Sequence, residues 1–540
     1  MLFSAPEFLF AFLPVTLAGF FIIGVLGRPS WAALWLIAAS LFFYGWWRPE
    51  FVFLILGSVL FNFVVGRALS RTQSLALLAF GIAANLAALG WFKYSGFLAE
   101  LVNDVAGLGL PIPQVLLPVG ISFYTFQQIG YLVDARSDDA REDSFLHYLL
   151  FVSFFPQLLA GPIVHHRETM SQFHRPETYK PQSTNLLLGI TAFSIGLFKK
   201  VFIGDTLAPQ AEVAFGPAAD GIVPVSGNAW FGVLAYTLQL YFDFSGYSDM
   251  AVGLGLMFGI RLPINFASPF KAASIIEFWS RWHMTLTRFL TAYIYNPIVT
   301  SIARRRVAAG KKLLRQKNPE MVPFAVQLAM PTLITMFLAG IWHGAGWQFL
   351  AFGLFHGVLL VMNHGWRTLR HAFGLRKSYG PLGHAAGVLV TFLSVAVGLV
   401  FFRADSFEHA LLILKAMAGF GGEYVGVRDI GGPDLHSMGL LERLFWNFST
   451  APGLLMIAGF VIVWALPNVS QFVEHLATKI ERRTGDVRDA IRLPFFRQNL
   501  STVLPLQNRF LQGSCIGALL AFALLRALSV TPKEFLYFTF

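Results

Sequence analysis

Long runs of apolar residues, separated by short polar segments, dominate the 540-residue chain. A membrane-spanning helix needs roughly 20 mostly apolar residues. Runs of this kind occur at or near 8–26, 31–47, 51–65, 75–92, 145–164, 185–204, 229–242, 322–342, 346–363, 385–402, 452–467 and 513–530. The pattern predicts about twelve spans, some of the short ones being re-entrant or interior segments. The runs lack the alternation of barrel strands, so the fold class expected is an all-α polytopic membrane protein.

The composition supports a membrane protein and argues against nucleic-acid binding. Only 13% of the residues are charged, whereas soluble proteins carry about 25%. The formal net charge is +11, but the basic residues lie in loops such as 303–317, 366–377 and 477–498. Basic loops between apolar runs are typical of cytoplasmic loops, and 303–317 is the strongest candidate. Because no basic region precedes the first apolar run and no convincing cleavage site follows it, we expect this run to be a retained helix.

Several kinds of chemistry find no support in the sequence. Its single cysteine, Cys515, lies in an apolar run and is expected to be a small buried residue. No Walker A loop, G-x-S-x-G elbow or H-E-x-x-H motif is present. His165, His166 and His174 are loop histidines whose spacing defines no metal geometry, so we expect no metal site.

The stretch FWSRWHMTLTRFLTAYIYNP, residues 278–297, places charged residues among aromatic ones. On a helix, Trp279 and His283 would share one face, and Arg281 and Arg288 another. Such a helix could lie at the membrane interface or line a polar cavity. The segment alone leaves both interpretations open.

A second histidine-containing stretch is AGIWHGAGWQFLAFGLFHG, residues 339–357. His343 follows a long apolar run and has glycines on both sides, which permit a kink and a close approach of backbone or ligand. An ionisable residue inside a membrane segment is a functional candidate, although a histidine satisfied by a neighbouring helix remains the alternative. We expect His356, further along the run, to be structural.

Two more segments interrupt the apolar pattern. Asp243, Tyr247 and Asp249 lie with two serines within seven positions, and they could line a cavity or cap a helix beginning near Asp249. FFPQLLAGPI, residues 154–163, contains two proline interruptions and predicts a broken helix or a re-entrant turn. The residues alone do not distinguish an enzyme from a transporter that uses His343 and Asp249 for proton relay.

Five strings in a fixed order, however, resemble the membrane-bound O-acyltransferase (MBOAT) family. They are MLFSAPEFLFAFLPV, FPQLLAGPI, DFSGYSDMAVGLGLMFGIRLPINF, EFWSRWHMTLTRFL and IWHGAGWQFLAFGLFHG. The chain is most similar to the bacterial branch with the alginate O-acetyltransferase membrane subunit and the teichoic acid D-alanyl transferase. The resemblance implies one membrane domain over 1–540, a signature core at about 115–365 and C-terminal helices at 384–540. It also implies roughly 11–13 transmembrane helices around a central funnel, with further re-entrant or interfacial helices.

The same resemblance implies that His343 is the catalytic histidine and His283 the second signature histidine. The donor would be an acyl thioester, most simply cytoplasmic acetyl-CoA, with no tightly bound cofactor. Trp279, Arg281, Trp342 or backbone N–H groups of 344–346 are candidates for stabilising the oxyanion.

Two features bear on the acceptor. Thr291 and Ala292 stand where related sequences resemble an Arg-Asp pair, which puts the identity of the acceptor polymer in doubt. The ending TPKEFLYFTF resembles a short aromatic motif in which a tyrosine is proposed to carry the acyl group, making Tyr537 a candidate relay. An aromatic belt residue is the alternative.

The resulting hypothesis is an enzyme of the bacterial inner membrane. It would move an acetyl group across the membrane to the hydroxyls of an exported polysaccharide such as alginate. A periplasmic or membrane-anchored acetyltransferase partner would complete the transfer. Peptidoglycan or cellulose O-acetylation, D-alanylation and the transporter remain alternatives.

Overall fold

A computed structural model describes residues 1–137, 144–315, 320–374, 380–422, 448–484, 509–529 and 533–536. Within these ranges every regular element is helical, which confirms the all-α prediction. Seven helices are long and apolar enough to cross a membrane: Phe8–Val25, Glu50–Thr72, Leu75–Ala106, Ser183–Ala219, Met321–His343, Trp347–Ala372 and Gly380–Arg403. The bent pair Ala451–Ala465 and Val469–Ile480, with a 52° angle, makes an eighth if it is one span. The chain is therefore a multi-pass membrane protein.

The described spans are fewer than the apolar runs suggest, because several runs form short or interrupted helices. Pro29–Gly45 and Ile516–Ser529 are apolar but shorter than a full span. The 145–164 run divides into Phe145–Ser153 and Phe155–Leu158. The remaining α-helices are Ile121–Arg136, His166–Phe173, Ser226–Met257, Ile275–Trp279, Met284–Leu290, Asn296–Ala308, Phe407–Met417, Val469–Thr484 and Arg509–Ser529.

The chain forms two compact units. The first comprises Met1–Phe202, Asp243–Asn265 and Pro467–Phe540, and the second comprises Ile203–Phe242 and Phe266–Leu466. Two boundaries between the units fall inside helical segments, Lys199–Gly204 and Ser226–Met257. No polar or Gly/Pro-rich linker marks these two boundaries in the sequence, so the sequence does not predict the division.

In the first unit, the interrupted segment 154–163 lies in an aromatic core. Phe155 packs its ring 5.3 Å from Phe43, and Phe3 stacks 4.8 Å from Tyr247. The Phe155 N–H donates to Ser40 Oγ over 3.2 Å, and the Gln157 side chain donates to the Phe151 carbonyl. The helix breaks after Ser153 and again after Leu158, which confirms the predicted broken helix. Side-chain and backbone partners inside the protein allow this irregular backbone to be buried.

In the second unit, two helices cross closely through glycines. A Cβ added to Gly340 on Met330–His343 would lie 2.9 Å from the Gly353 Cα on Trp347–Ala372 and would overlap the Phe349 carbonyl. Small residues allow helix backbones to approach where lipid provides no hydrophobic force for association. This contact fixes the end of the helix that carries His343.

Substituting Gly340→Ala should lower the midpoint of thermal unfolding, because the methyl group forces the two helices apart at a cost of about 1–3 kcal/mol. Gly365→Ala is the matched control. It lies on the same helix pair, and its added Cβ would meet the Phe324 ring at 3.6 Å, an ordinary contact. Equal midpoints for the two variants in one detergent would contradict the prediction.

Candidate functional site

His343 is the last residue of Met330–His343 and is 6% exposed. The turn to the next helix begins at Gly344, where a side chain would overlap the Phe349 ring. Glycine at this position therefore lets the turn stay tight, so the helix pair holds the imidazole inside the second unit.

Aromatic rings surround His343. Its ring centroid lies 4.9 Å from Trp342, 5.8 Å from Phe352 and 5.0 Å from Phe402. The Phe352 and Phe402 rings are nearly perpendicular to the imidazole, at 88° and 74°. These contacts come from helices Trp347–Ala372 and Gly380–Arg403, which orient the ring.

His283 has an unusual backbone conformation. With φ 43° and ψ 52° it lies in the left-handed region, directly before Met284–Leu290. Few non-glycine residues adopt this conformation, although histidine does so more often than most. The expectation of one continuous helix through Trp279 and His283 is therefore wrong. The first helical piece ends at Trp279, and His283 turns the chain into the next.

This turn brings His283 near the His343 cluster. The His283 ring centroid lies 6.2 Å from Trp342, the same indole that packs against His343. His283 is 1% exposed. The two predicted catalytic histidines thus lie near the same indole, that of Trp342.

The cluster extends to Trp279 and His356. Their rings meet edge to face at 5.2 Å and 87°, and Phe352 lies 4.8 Å from His356. Trp279 Nε1 and His356 Nδ1 are buried and have no hydrogen-bond partner among the described residues. His356, expected only to be structural, therefore belongs to the same cluster. Its sequence position, 13 residues after His343 and on the next helix, did not indicate that it would join this cluster.

Arg281 has a different setting from the histidines. Its guanidinium pairs with Glu277 over 2.5 Å, and the other Glu277 oxygen accepts the Ala273 N–H over 2.9 Å. The Arg281 carbonyl accepts the Ala267 N–H over 2.9 Å. These bonds hold Arg281 against Glu277 and the backbone of Ala267.

Asp243, Tyr247 and Asp249 lie in the first unit, within the continuous helix Ser226–Met257. The alternative that they cap a helix beginning near Asp249 is wrong, because the helix runs through them. Instead Asp249 pairs with Lys199 over 2.7 Å, and Asp243 pairs with Lys200 over 2.5 Å. Sequence reasoning missed the two lysines, although consecutive lysines in an apolar run were a visible signal.

The lysines lie where the backbone is π-helical, at Lys199–Gly204. Such segments are rare and occur often at functional sites. Tyr247 is buried nearby in the first unit. Tyr537, the candidate relay, lies outside the described residues.

Within the described parts of the chain, one group of side chains has the composition of a metal site: Asp134, His165 and His166 in the first unit. His165 Nε2 lies 2.8 Å from Asp134, while its Nδ1 accepts the Arg167 N–H over 3.4 Å. A neutral imidazole with Nδ1 as acceptor carries its proton on Nε2. His165 thus bonds to Asp134 and caps the helix that begins at His166, whose Nδ1 lies 3.5 Å from the same Asp134 oxygen. His174 lies apart from it and packs 4.1 Å from His147.

Burial also sets the protonation of His283, which lies between the candidate spans. It lowers the pKa of His283 from 6.5 to about 3. The imidazole is consequently neutral at physiological pH and can donate one hydrogen bond from one ring nitrogen and accept one at the other.

The free energy of unfolding should therefore fall as the pH decreases from 6.5 toward 3. In this window the unfolded chain binds a proton at His283 that the folded chain excludes, at up to about 1.4 kcal/mol per pH unit. Above this window His283 is neutral in both states. His283→Asn, which tolerates the same backbone, should flatten the fall in unfolding midpoint between about pH 7.5 and 5. An unchanged slope, equal to that of the exposed control His371→Asn, would refute this.

Comparison with known proteins identifies the family of the chain. The family model described as MBOAT, membrane-bound O-acyltransferase family, matches residues 133–310. The chain is 41% identical to a peptidoglycan O-acetyltransferase of Helicobacter pylori, over 78% of this chain and 80% of that protein. It is 37% identical to a probable alginate O-acetylase of Pseudomonas aeruginosa, over 78% and 75% respectively. A teichoic acid D-alanyltransferase of Bacillus subtilis is 29% identical over 54% of this chain and 70% of its own. The chain belongs to the membrane-bound O-acyltransferase family and is a multi-pass O-acyltransferase.

Proposed function

We propose that the protein transfers an acetyl group from a cytoplasmic thioester, acetyl-CoA, to hydroxyl groups of an exported polysaccharide in a bacterial inner membrane. Family membership supports the acyl transfer. Two of the relatives are named for O-acetylation of peptidoglycan or alginate, which supports acetyl as the group and a polysaccharide as the acceptor. Acetylation, rather than D-alanylation, is favoured by the higher identity to the acetylases.

His343 is the proposed general base, and the observation that carries this role is its buried position against Trp342, the indole that also lies 6.2 Å from His283. Its imidazole accepts the proton of the attacking hydroxyl as the oxygen bonds to the thioester carbonyl carbon. The tetrahedral oxyanion then collapses, the C–S bond breaks, and the proton passes from His343 to the leaving thiolate. Such proton transfer is typically worth about 10²–10⁴ in rate.

The neutral His283 is proposed to act as a hydrogen-bonding group beside this reaction rather than as a charge. The indoles of Trp279 and Trp342 and the backbone N–H groups of 344–346 are the proposed donors for the oxyanion. Arg281 is a weaker candidate for this role, because Glu277 already holds its guanidinium.

The transfer is proposed to take place in two steps through Tyr537. Its hydroxyl would attack the thioester first, giving a tyrosine ester and free CoA. A polysaccharide hydroxyl, or a periplasmic or membrane-anchored acetyltransferase partner, would then take the acetyl group and restore the phenol. Thr291 and Ala292 are exposed, so their departure from the Arg-Asp pair bears on the acceptor or partner rather than on the buried histidines.

His343→Ala should reduce release of CoA thiol from acetyl-CoA by about 10²-fold or more, because the reaction loses its base. The purified protein in lipid nanodiscs, supplied with polysaccharide acceptor, is the system to use. His371→Ala, exposed at the end of the neighbouring helix, is the matched control for losing a histidine. Thiol release by a folded His343→Ala protein at the wild-type rate would overturn the assignment.

Tyr537→Phe, which leaves His343 unchanged, should abolish protein-bound label from acetyl-labelled CoA. Phenylalanine lacks the phenolic oxygen that forms the proposed ester. In the wild type, label should appear on the C-terminal peptide by mass spectrometry and leave on addition of alginate or peptidoglycan fragments. Undiminished label in Tyr537→Phe would rule out the relay. Release by one polymer but not the other would identify the acceptor.

A further inference from the structure

Residues 534–536, the tail, pack in the first unit onto the buried ion pair of Lys200 and Asp243. Lys200 Nζ lies 2.5 Å from Asp243 Oδ1, with side chains only 2% and 3% exposed. The other carboxylate oxygen, Oδ2, accepts the backbone N–H of Leu536 over 3.0 Å. Asp243 therefore binds the lysine and the tail at once.

Lys200 also contacts the tail in two ways. Its ammonium lies 4.7 Å from the centre of the Phe535 ring, and it donates to the Glu534 carbonyl over 3.4 Å. Phe535 is 1% exposed and meets Tyr247 edge to face at 4.3 Å. Three consecutive tail residues thus contact one buried ion pair and one tyrosine.

The chemistry explains why the tail and the ion pair need each other. A buried ion pair is favourable only when further hydrogen bonds satisfy its remaining donors and acceptors. The tail supplies a carbonyl and an aromatic face to the ammonium and an N–H to the carboxylate. Displacing the tail would leave these groups incompletely satisfied, at a free-energy cost that favours the docked state.

We propose that Lys200, Asp243 and Tyr247 form a tail socket, a binding site for segment 534–536. Lys200 and Asp243 are positioning residues: they hold the backbone immediately before position 537 and touch no reacting atom. The catalytic consequence, though not the docking itself, rests on the proposed acyl-carrier role of Tyr537.

A second ion pair provides an internal control. Lys199 and Asp249 lie 2.7 Å apart, with side chains 8% and 16% exposed, one residue along the π-helical segment from Lys200. Among the described residues Asp249 bonds to Lys199 and not to the tail. Replacing either pair by apolar residues of similar size removes two buried charges together, which is often tolerated.

The test is hydrogen exchange at the Leu536 amide of the full-length protein in nanodiscs, read by mass spectrometry with residue-resolving fragmentation. The double substitution Lys200→Met with Asp243→Leu should accelerate exchange about tenfold or more, because the charge-assisted bond to Leu536 is lost. Phe535→Ala should also accelerate it and leaves the ion pair intact. Lys199→Met with Asp249→Leu should leave the exchange rate within about twofold of wild type. Size-exclusion profiles and unfolding midpoints identify variants that fail to fold.

An unchanged exchange rate at Leu536 in both the Lys200–Asp243 double variant and Phe535→Ala would overturn the proposal. Equal acceleration in the Lys199–Asp249 variant would also overturn it, since general loosening would then explain the result. Label transfer to the tail, measured on the same samples, separates the two proposals. Faster exchange in the Lys200–Asp243 and Phe535 variants, with no acetyl label on the wild-type tail, would support the socket and reject the Tyr537 relay. Unchanged exchange with tail labelling would do the reverse.

Discussion

The second unit depends on the close glycine contact between Met330–His343 and Trp347–Ala372. An apolar side chain gains little free energy by moving from lipid into a contact between helices. Helix association in a membrane therefore relies on close packing and hydrogen bonds. Gly340 and Gly353 bring the two backbones together, and the approach carries His343 and Phe352 into contact. Trp342 then connects His343 to His283. The aromatic surroundings of the histidines are therefore a consequence of a backbone contact three residues before His343.

The first unit solves a different problem, the burial of charge. Lys199, Lys200, Asp243 and Asp249 would each be costly to bury alone, and pairing reduces that cost. The π-helical segment carries both lysines, and aspartates six residues apart on Ser226–Met257 meet them. The pairs and the histidine cluster illustrate two ways of keeping polar groups inside a membrane protein: compensation of charge, and a neutral imidazole.

Sequence patterns predicted the features that depend on neighbours in the chain. Apolar run length gave the helical fold, and Pro156 with Gly161 and Pro162 gave the broken segment. Features that depend on distant residues were missed. Lys200 and Asp243 are 43 positions apart, and nothing local specifies their pairing. The break at His283 was missed because hydrophobic periodicity does not show where a single residue adopts the left-handed backbone conformation. Run length alone also does not reveal where a helix stops short, so the 145–164 run was predicted as one span although it divides into Phe145–Ser153 and Phe155–Leu158.

The left-handed backbone at His283 also limits which residues can replace histidine at this position during evolution. Most residues with a Cβ are disfavoured in this conformation, whereas glycine, asparagine and aspartate join histidine in adopting it more readily. A lineage that lost the imidazole would pass most easily through one of these residues, whatever the demands of its substrate. Variation at position 283 among descendants would thus record a steric filter imposed by the main chain as well as selection for chemistry.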